Sequence, residues 1–594
     1  MTSGEVVAID FYNSEVFIWC WFALWSLGAT PAFLNTSLKG EGLVHCVRTS
    51  GARLVLVDEF ARDKFEEDVM MEHGFNAIRT DGELRDGRQA KYGFETDPTK
   101  ISRSIQNQTR SSSSSTIPSS RKLEIIFFDK RLETYILSLP PTRLPPTRLP
   151  NSVRGTPKKH DMAMLIYTSG TTGLPKPAIM SWNKAHIGAS FISKWMHIKK
   201  TDIMYTAMPL YHGSASVLGV GTMLIAGGAI CLGQKFSHKT FWPEVRDSKA
   251  TLVQYVGETC RYLLAAPPSP EDKKHCVRAA FGNGLRSDVW QPFKDRFGIQ
   301  TVYEFYSATE APVALFNHSS NPFAAGAFAR TGTIGSLIMR TLGIITLRLS
   351  PTSPLELLRD PKTGLCVPTA PNEPGELVFK LDAANIEHKF QGYYGNEKAS
   401  QSKILRNVRK KGDAYFRSGD LVRHDNEARW FFVDRLGDTF RWKAENVSTA
   451  EVADVLGQHE AIQEANVYGV EVPHHDGRAG CAAIVLEQGA ATTSQPPDGI
   501  SLPQDATLKS LAQDVQKKLP PFAVPVWLRV TREMHTTGTN KQQKHLFQKD
   551  GIDVDAVEEQ GDALLWLCGK GDEARYERFT RRDLQRVKGG EVKL

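Results

Sequence analysis

The densest chemistry in the chain lies in Asp161-Met-Ala-Met-Leu-Ile-Tyr-Thr-Ser-Gly-Thr-Thr-Gly-Leu-Pro-Lys176. Met162 to Tyr167 reads as a short apolar strand. It runs directly into Thr168, Ser169, Gly170, Thr171, Thr172 and Gly173, closed by Pro175 and Lys176. Small residues let successive backbone N–H groups face one anion, the hydroxyls add donors, and Lys176 brings a positive charge, so the loop suits a polyphosphate. The spacing Gly-x-x-x-x-Gly-Lys-[Ser/Thr] of the commoner phosphate loop is absent here. A Ser/Thr/Gly surface linker would need no buried strand ahead of it.

Two further stretches carry groups of complementary type. In Glu304-Phe-Tyr-Ser-Ala-Thr-Glu310 an aromatic ring can stack on a base, a hydroxyl can donate to a phosphate and a carboxylate can hold a hard cation. In Tyr415-Phe-Arg-Ser-Gly-Asp-Leu-Val422, followed by Trp430 to Thr449, the Asp420 carboxylate can accept from both hydroxyls of a ribose. Arg435, always charged, can hold ribose or phosphate oxygens. By themselves Ser-Gly-Asp and the Gly282-Asn283-Gly284 of Phe281 to Arg286 are ordinary turns.

In this order, the strings closely resemble the signatures of the adenylate-forming superfamily. The opening Val6 to Asp58, the segment Thr251 to Leu264 and the string Phe440-Arg-Trp-Lys443 resemble its very-long-chain acyl-CoA synthetase and fatty-acid transport protein branch. The resemblance implies an α/β fold, with a large N-terminal AMP-binding domain over 1–435 and a small mobile α+β domain over 436–594. Gly437 sits in the hinge at 436–438.

The same resemblance implies ATP, Mg²⁺ and CoA, with a long or very long fatty acid activated as its adenylate. It places the 168–176 loop on the β- and γ-phosphates and the backbone of Gly282, Asn283 and Gly284 against adenine. Tyr306 would stack on adenine, Thr309 would donate to the α-phosphate, Glu310 would hold the metal, and Asp420 and Arg435 would hold ribose. His212, in Met208-Pro-Leu-Tyr-His-Gly213, would border the acyl site. Lys541, in Met534 to Lys544, would reach the active site during adenylation, with Lys544 as a neighbouring candidate. The chain departs from the usual pattern at Ser307, Ala311 and Ala444, where glycine is typical; the first two bear on nucleotide binding and the third on the thioester step.

Around these sites, Val16 to Leu38 is uncharged and aromatic, but Gly28, Thr30 and Pro31 break it after about three turns, which favours a core helix over a membrane span. Ala29 to Asn35 and Ala52 to Asp58 read as buried strands. About 86–121 is Ser-rich and aperiodic and reads as a disordered insert. After a strand-like Glu124 to Asp129 comes a proline-rich linker at 140–150. Relatives of this branch normally have further sequence ahead of this opening, so a shortened first subdomain is expected. The tail Arg575 to Lys588 reads as a charged helix that could touch a membrane.

A chain of 594 residues, 41% hydrophobic and 23% charged, can build several cores. Its net charge of +7 gives no argument for nucleic acid. Eight scattered cysteines without Cys-x-x-Cys pairs suit a reducing compartment, and no secretory signal is evident. The branch and the final Val592-Lys593-Leu594, loosely like a peroxisomal address, point to an intracellular protein associated peripherally or integrally with a membrane, peroxisomal or of the endoplasmic reticulum. Two alternatives stay open: CoA ligation of a non-lipid acid in secondary metabolism, and a membrane-associated uptake factor with weak or lost ligase activity.

Overall fold

The computed structural model describes residues 4–65, 76–80, 122–138, 151, 155–168, 174–351, 356–443, 445–475, 477–487, 489–490, 502–536, 542–569 and 571–592. The Ser-rich insert at 86–121, the linker at 140–150, Ser169 to Gly173, Ala444 and Lys541 lie outside the described residues. The chain forms two compact units, one of residues 1–254, 275–277 and 386–402, the other of 255–274, 278–385 and 403–594. The expected hinge at 436–438 therefore falls inside the second unit.

The first unit is built on β1 (Val6–Asp10), β2 (Thr30–Phe33), β3 (Leu54–Asp58), β4 (Asn76–Thr80), β5 (Lys122–Phe128), β6 (Met162–Thr168) and β7 (Lys176–Ser181). They pair in the order β4-β5-β3-β1-β2-β6-β7, parallel throughout except for the final hairpin-like pair β6–β7. Unbroken runs such as Val-Val-Ala-Ile-Asp and Met-Ala-Met-Leu-Ile-Tyr are what a parallel sheet covered on both faces requires, and both are buried. The uncharged run after β1 forms helix α1 (Glu15–Leu27), capped by the Ser14 side chain and stopped by Gly28 in the left-handed region. Its 13 residues span about 20 Å, short of a bilayer's hydrocarbon core. Among the described residues no helix is long and apolar enough to cross a membrane.

Helix α2 (Gly40–Ser50) covers the sheet, and β8 (Ile203–Thr206), β9 (Ala229–Leu232) and β10 (Leu252–Val256) pair in parallel in a separate sheet, β10 through Leu252 and Val253. Helix α3 (Trp182–Trp195) begins at a Ser181 cap and packs against a π-helical turn, Ser216–Gly221, and helix α4 (Thr222–Ala226).

In the second unit β11 (Ala279–Asn283) pairs in parallel with β12 (Thr301–Tyr306), and β12 antiparallel with β13 (Leu315–Ser319); α5 (Gly257–Ala265) and α6 (Ser287–Phe297) pack together beside them. An antiparallel sheet follows, β14 (Ala329–Arg330), β19 (Arg429–Arg435), β18 (Ala414–His424), β16 (Gly375–Leu381) and β15 (Ile344–Leu347) in that order, with β17 (Ile404–Arg406) on β18. Helix α7 (Gly332–Thr341) precedes β15.

Beyond a short hairpin of β20 (Phe440–Trp442) and β21 (Glu445–Val447), the α+β module runs as expected. Helix α8 (Thr449–Gly457) leads into a sheet of β22 (Ile462–Glu471), β23 (Arg478–Leu486), β24 (Trp527–Val530), β25 (Ala563–Cys568) and β26 (Arg575–Arg578), packed on α9 (Asp505–Lys518). One continuous core runs from Phe440 to Val587. The tail is not one helix. Arg575–Arg578 is the edge strand β26, and only Arg581–Lys588 is helical. Its Leu584 and Val587 enter the core while Arg581 pairs with Asp555 and Glu558, which supports the plain charged-helix reading.

Candidate active site

The phosphate-loop candidate is framed by the β6–β7 pair of the first unit. Thr168 and Lys176 stand directly opposite in the antiparallel register, so the strands deliver both ends of the 169–173 segment to one place. His45 on α2 bonds the Pro175 carbonyl at 3.1 Å, and the buried Tyr167 hydroxyl donates to the Cys46 carbonyl, fixing the strand against α2. The Lys176 ammonium lies 5.9 Å from the centre of the Tyr393 ring.

His212, half-buried in the same unit, precedes the helical turn Gly213–Ala215, and its ring packs on Tyr211. The loop leading to it is organised by a residue the sequence reading missed. Asn13 donates to the carbonyls of Met208 and Gly233 and accepts from the Leu210 N–H, all at 2.9–3.0 Å. In sequence the Asn-Ser pair before α1 carries only the common chemistry of a helix start, which does not mark such a role.

The second unit brings together most of the nucleotide candidates. Asp420 and Arg435 are register partners on β18 and β19, with Arg435 Nε 3.8 Å from Asp420 Oδ1. Tyr306, the last residue of β12, donates to Asp420 Oδ2 at 2.5 Å and packs its ring on Phe328. Burial, reinforced by the Asp420 charge, pushes the Tyr306 phenol well above its ordinary value, so it stays a donor. The turn before Asp420 is pinned from behind: Arg417 chelates Glu376, Gly419 N–H donates to the same carboxylate, and Ser418 Oγ donates to the Leu377 carbonyl. Gly419 has φ of 78°, where glycine is the residue of choice.

Thr309 and Glu310 follow in the turn after β12. Glu310 is buried, with the Lys403 ammonium 3.9 Å from its carboxylate, and Lys403 also donates to the Ser418 carbonyl at 3.2 Å. One buried carboxylate beside the Thr309 hydroxyl is a donor set that fits Mg²⁺, which takes few protein ligands and shares substrate phosphates. Among the described residues no cluster of three or more His, Cys, Asp or Glu could hold a metal by itself. Ser307 and Ala311 both avoid the left-handed backbone region, so neither demands glycine on conformational grounds.

The Gly-Asn-Gly reading needs one correction. Gly282 and Asn283 complete strand β11, and only Gly284 turns, with φ of 78°. The turn is held by three residues not singled out as functional. A Cβ on Gly257 would overlap the Gly284 carbonyl oxygen, and one on Gly282 would overlap the Tyr255 carbonyl, so the backbones meet directly. Beneath them the buried Glu304 accepts from the Leu285 N–H at 3.0 Å and from the Tyr255 hydroxyl. Burial pushes the Glu304 carboxyl up to about 8. The only sequence signal was a carboxylate in an otherwise apolar strand run.

Lys544, the neighbouring lysine candidate, is occupied. It donates to Thr449 Oγ1 and lies 3.4 Å from Asp438 Oδ2. The buried Asp434 accepts from the Thr449 N–H at 2.6 Å, so the segment between β19 and α8 is tied at both ends.

A family model for AMP-binding enzymes matches residues 1–394, and a model for the AMP-binding enzyme C-terminal domain matches 451–541. The chain belongs to the AMP-binding enzyme family. Within it, the chain is 40% identical over 592 residues to a very long-chain fatty acid transport protein of Cochliobolus heterostrophus, covering all of this chain and 81% of that one. It is 35% identical to the very long-chain fatty acid transport protein of Saccharomyces cerevisiae, covering 100% and 80%. It is also 34% identical to isopenicillin N epimerase component 1 of Hapsidospora chrysogena, covering 99% and 82%. Among solved structures, the o-succinylbenzoate CoA synthetase of Bacillus subtilis matches with a TM-score of 0.63 at 19% identity, covering 92% of this chain and 89% of that one. At that identity the likeness shows the adenylate-forming fold.

Proposed function

We propose that the chain is an ATP-dependent fatty acyl-CoA synthetase acting on long or very long chains. The observation that carries the reading is the Tyr306–Asp420–Arg435 constellation beside Glu310, on a chain whose full-length relatives are named as very long-chain fatty acid transport proteins. In the first half-reaction a carboxylate oxygen attacks the α-phosphorus of ATP and the bond to the β-phosphate oxygen breaks, releasing pyrophosphate and leaving the acyl-adenylate. Asp420 and Arg435 hold the ribose, Tyr306 stacks on adenine, and Thr309 donates to the α-phosphate. Glu310 would hold Mg²⁺, which supplies charge neutralisation on the phosphates. The loop 168–176 orients the leaving group, and Lys541 adds positive charge.

In the second half-reaction the CoA thiolate attacks the acyl carbonyl and AMP leaves, with 436–594 moving about 436–438 to admit the thiol. His212 borders the acyl site. No protein nucleophile is used.

The same reading places the protein at a membrane surface, peroxisomal or of the endoplasmic reticulum, where its substrates reside. A second reading, CoA ligation of a non-lipid acid, draws on the relative named isopenicillin N epimerase component 1. ATP–pyrophosphate exchange against acids from short to very long, with CoA-thioester detection, separates the two. Exchange rising with chain length supports the lipid ligase, and exchange confined to a polar or aromatic acid replaces it with the second reading.

A further inference from the structure

In the first unit, helices α3 and α4 pack against each other, and each carries exposed apolar side chains. Ile187 and Phe191, one helical turn apart on α3, are 56% and 43% exposed, and Leu224 and Ile225 on α4 are 56% and 46% exposed. The opposite sides of both helices are spent on the core through Ala189, Ile192 and Met223. Four exposed large apolar side chains on two touching helices form a patch of the kind that marks an interaction surface.

Within the stretch that carries both helices the charge is of one sign. From Trp182 to Pro243 the chain carries six lysines and a single acid, Asp202. That acid is buried and spent on the Thr251 hydroxyl and the Lys199 N–H. Lys194, Lys199 and Lys200 are exposed, and none has a carboxylate within ion-pair distance among the described residues. Lys200 lies along Gly227, the residue that ends α4, and Lys194 sits in the last turn of α3, so cations flank the apolar face. Aliphatic and aromatic groups flanked by unpaired lysines, with no exposed acid in the same stretch, complement a surface that is apolar within and anionic at its edge. A protein partner would supply scattered charges of both signs. A bilayer with acidic headgroups supplies both layers at once.

We propose that the α3–α4 face docks the protein on an anionic lipid bilayer, in the manner of a peripheral protein, with Ile187, Phe191, Leu224 and Ile225 entering the headgroup boundary and Lys194, Lys199 and Lys200 meeting phosphates. The inference rests on the reading that the chain works at a membrane, and names the surface that does so. It is independent of which acid is activated.

The test is co-sedimentation of the full chain with vesicles of phosphatidylcholine, alone or mixed with phosphatidylserine, at low and high salt. Wild type binds the mixed vesicles at least about tenfold better than the neutral ones, and salt weakens the difference. K194E/K199E/K200E loses the preference for phosphatidylserine, and I187E/F191E loses binding to both. Both variants keep the wild-type far-UV circular dichroism spectrum and the wild-type pyrophosphate exchange with a short water-soluble acid.

Wild type that binds neither vesicle overturns the inference. So does binding unchanged in both variants, or binding lost instead in I334E/L337E on the exposed face of α7. Ultracentrifugation showing self-association that I187E/F191E abolishes, with vesicle binding intact, would reassign the face to a second copy of the chain. Failure of wild type to exchange pyrophosphate with any acid, while vesicle binding behaves as stated, would count against the ligase reading alone.

Discussion

Tyr306 donates its phenolic hydrogen bond to Asp420 at 2.5 Å, so the ring proposed to stack on adenine also orients the carboxylate proposed to take the ribose. The two roles separate by substitution. Tyr306→Phe keeps the ring and should raise the KM for ATP by no more than about fivefold, because a neutral donor to a carboxylate that ribose can also satisfy is worth about 1 kcal/mol. Asp420→Ala removes the acceptor and should raise it tenfold or more. Initial rates of pyrophosphate exchange across ATP concentration measure both.

Glu304 makes the stability of the second unit depend on pH. Its carboxyl is raised from an ordinary 4.5 to about 8, so the folded state binds a proton that the unfolded chain has released across that interval. Stability from this group is fully present below about pH 4.5, falls as pH rises through that window, and levels off above about 8. Glu304→Gln keeps an acceptor for the Leu285 N–H and cannot ionise. Its melting temperature should fall less between pH 5 and 8 than that of wild type, each read by calorimetry over about that range.

Gly257→Ala tests the backbone contact under the adenine-side turn. The methyl group has no room against the Gly284 carbonyl, so the turn or α5 must shift. A loss of about 1–3 kcal/mol in denaturant unfolding, with a weaker affinity for ATP, is expected. Gly284→Ala strains φ without a clash at the Cβ and should cost less.

The strand–loop frame at 162–176, the helix of Glu15–Leu27 and the α+β module could be read from the sequence because each is a local pattern: an apolar run, a charge-free stretch ended by Gly28, alternating strands after a capped helix. Asp420 and Arg435 were singled out by the family resemblance, and the structure sets them as partners on adjacent strands. Glu304, Gly257 and Asn13 were not. Each acts by touching backbone far away in sequence, Asn13 across 195 residues and Glu304 across 19, and no local spacing marks such a contact. Whether Ser307 and Ala311 need unusual backbone angles was likewise not legible, since only the folded chain displays that both stay out of the left-handed region.

The two lysines near the C-terminal motif should behave differently. Lys544 holds Thr449 and Asp438 together, so Lys544→Ala should lower stability by about 1 kcal/mol and affect both half-reactions alike. Lys541→Ala should slow adenylation by at least about a hundredfold while leaving thioester formation from supplied acyl-adenylate intact. Rapid-quench assays of the separated half-reactions distinguish them, and equal loss of both in Lys541→Ala would remove that residue from the site.

The central claim is adenylation of a fatty acid at the site around Asp420 and Glu310, and ATP–pyrophosphate exchange tests it most directly. Wild type should exchange with long-chain acids, increasingly with chain length, and Glu310→Ala should abolish exchange while keeping its fold. No exchange with any acid from folded wild type, or full exchange in the Glu310 variant, would contradict the account.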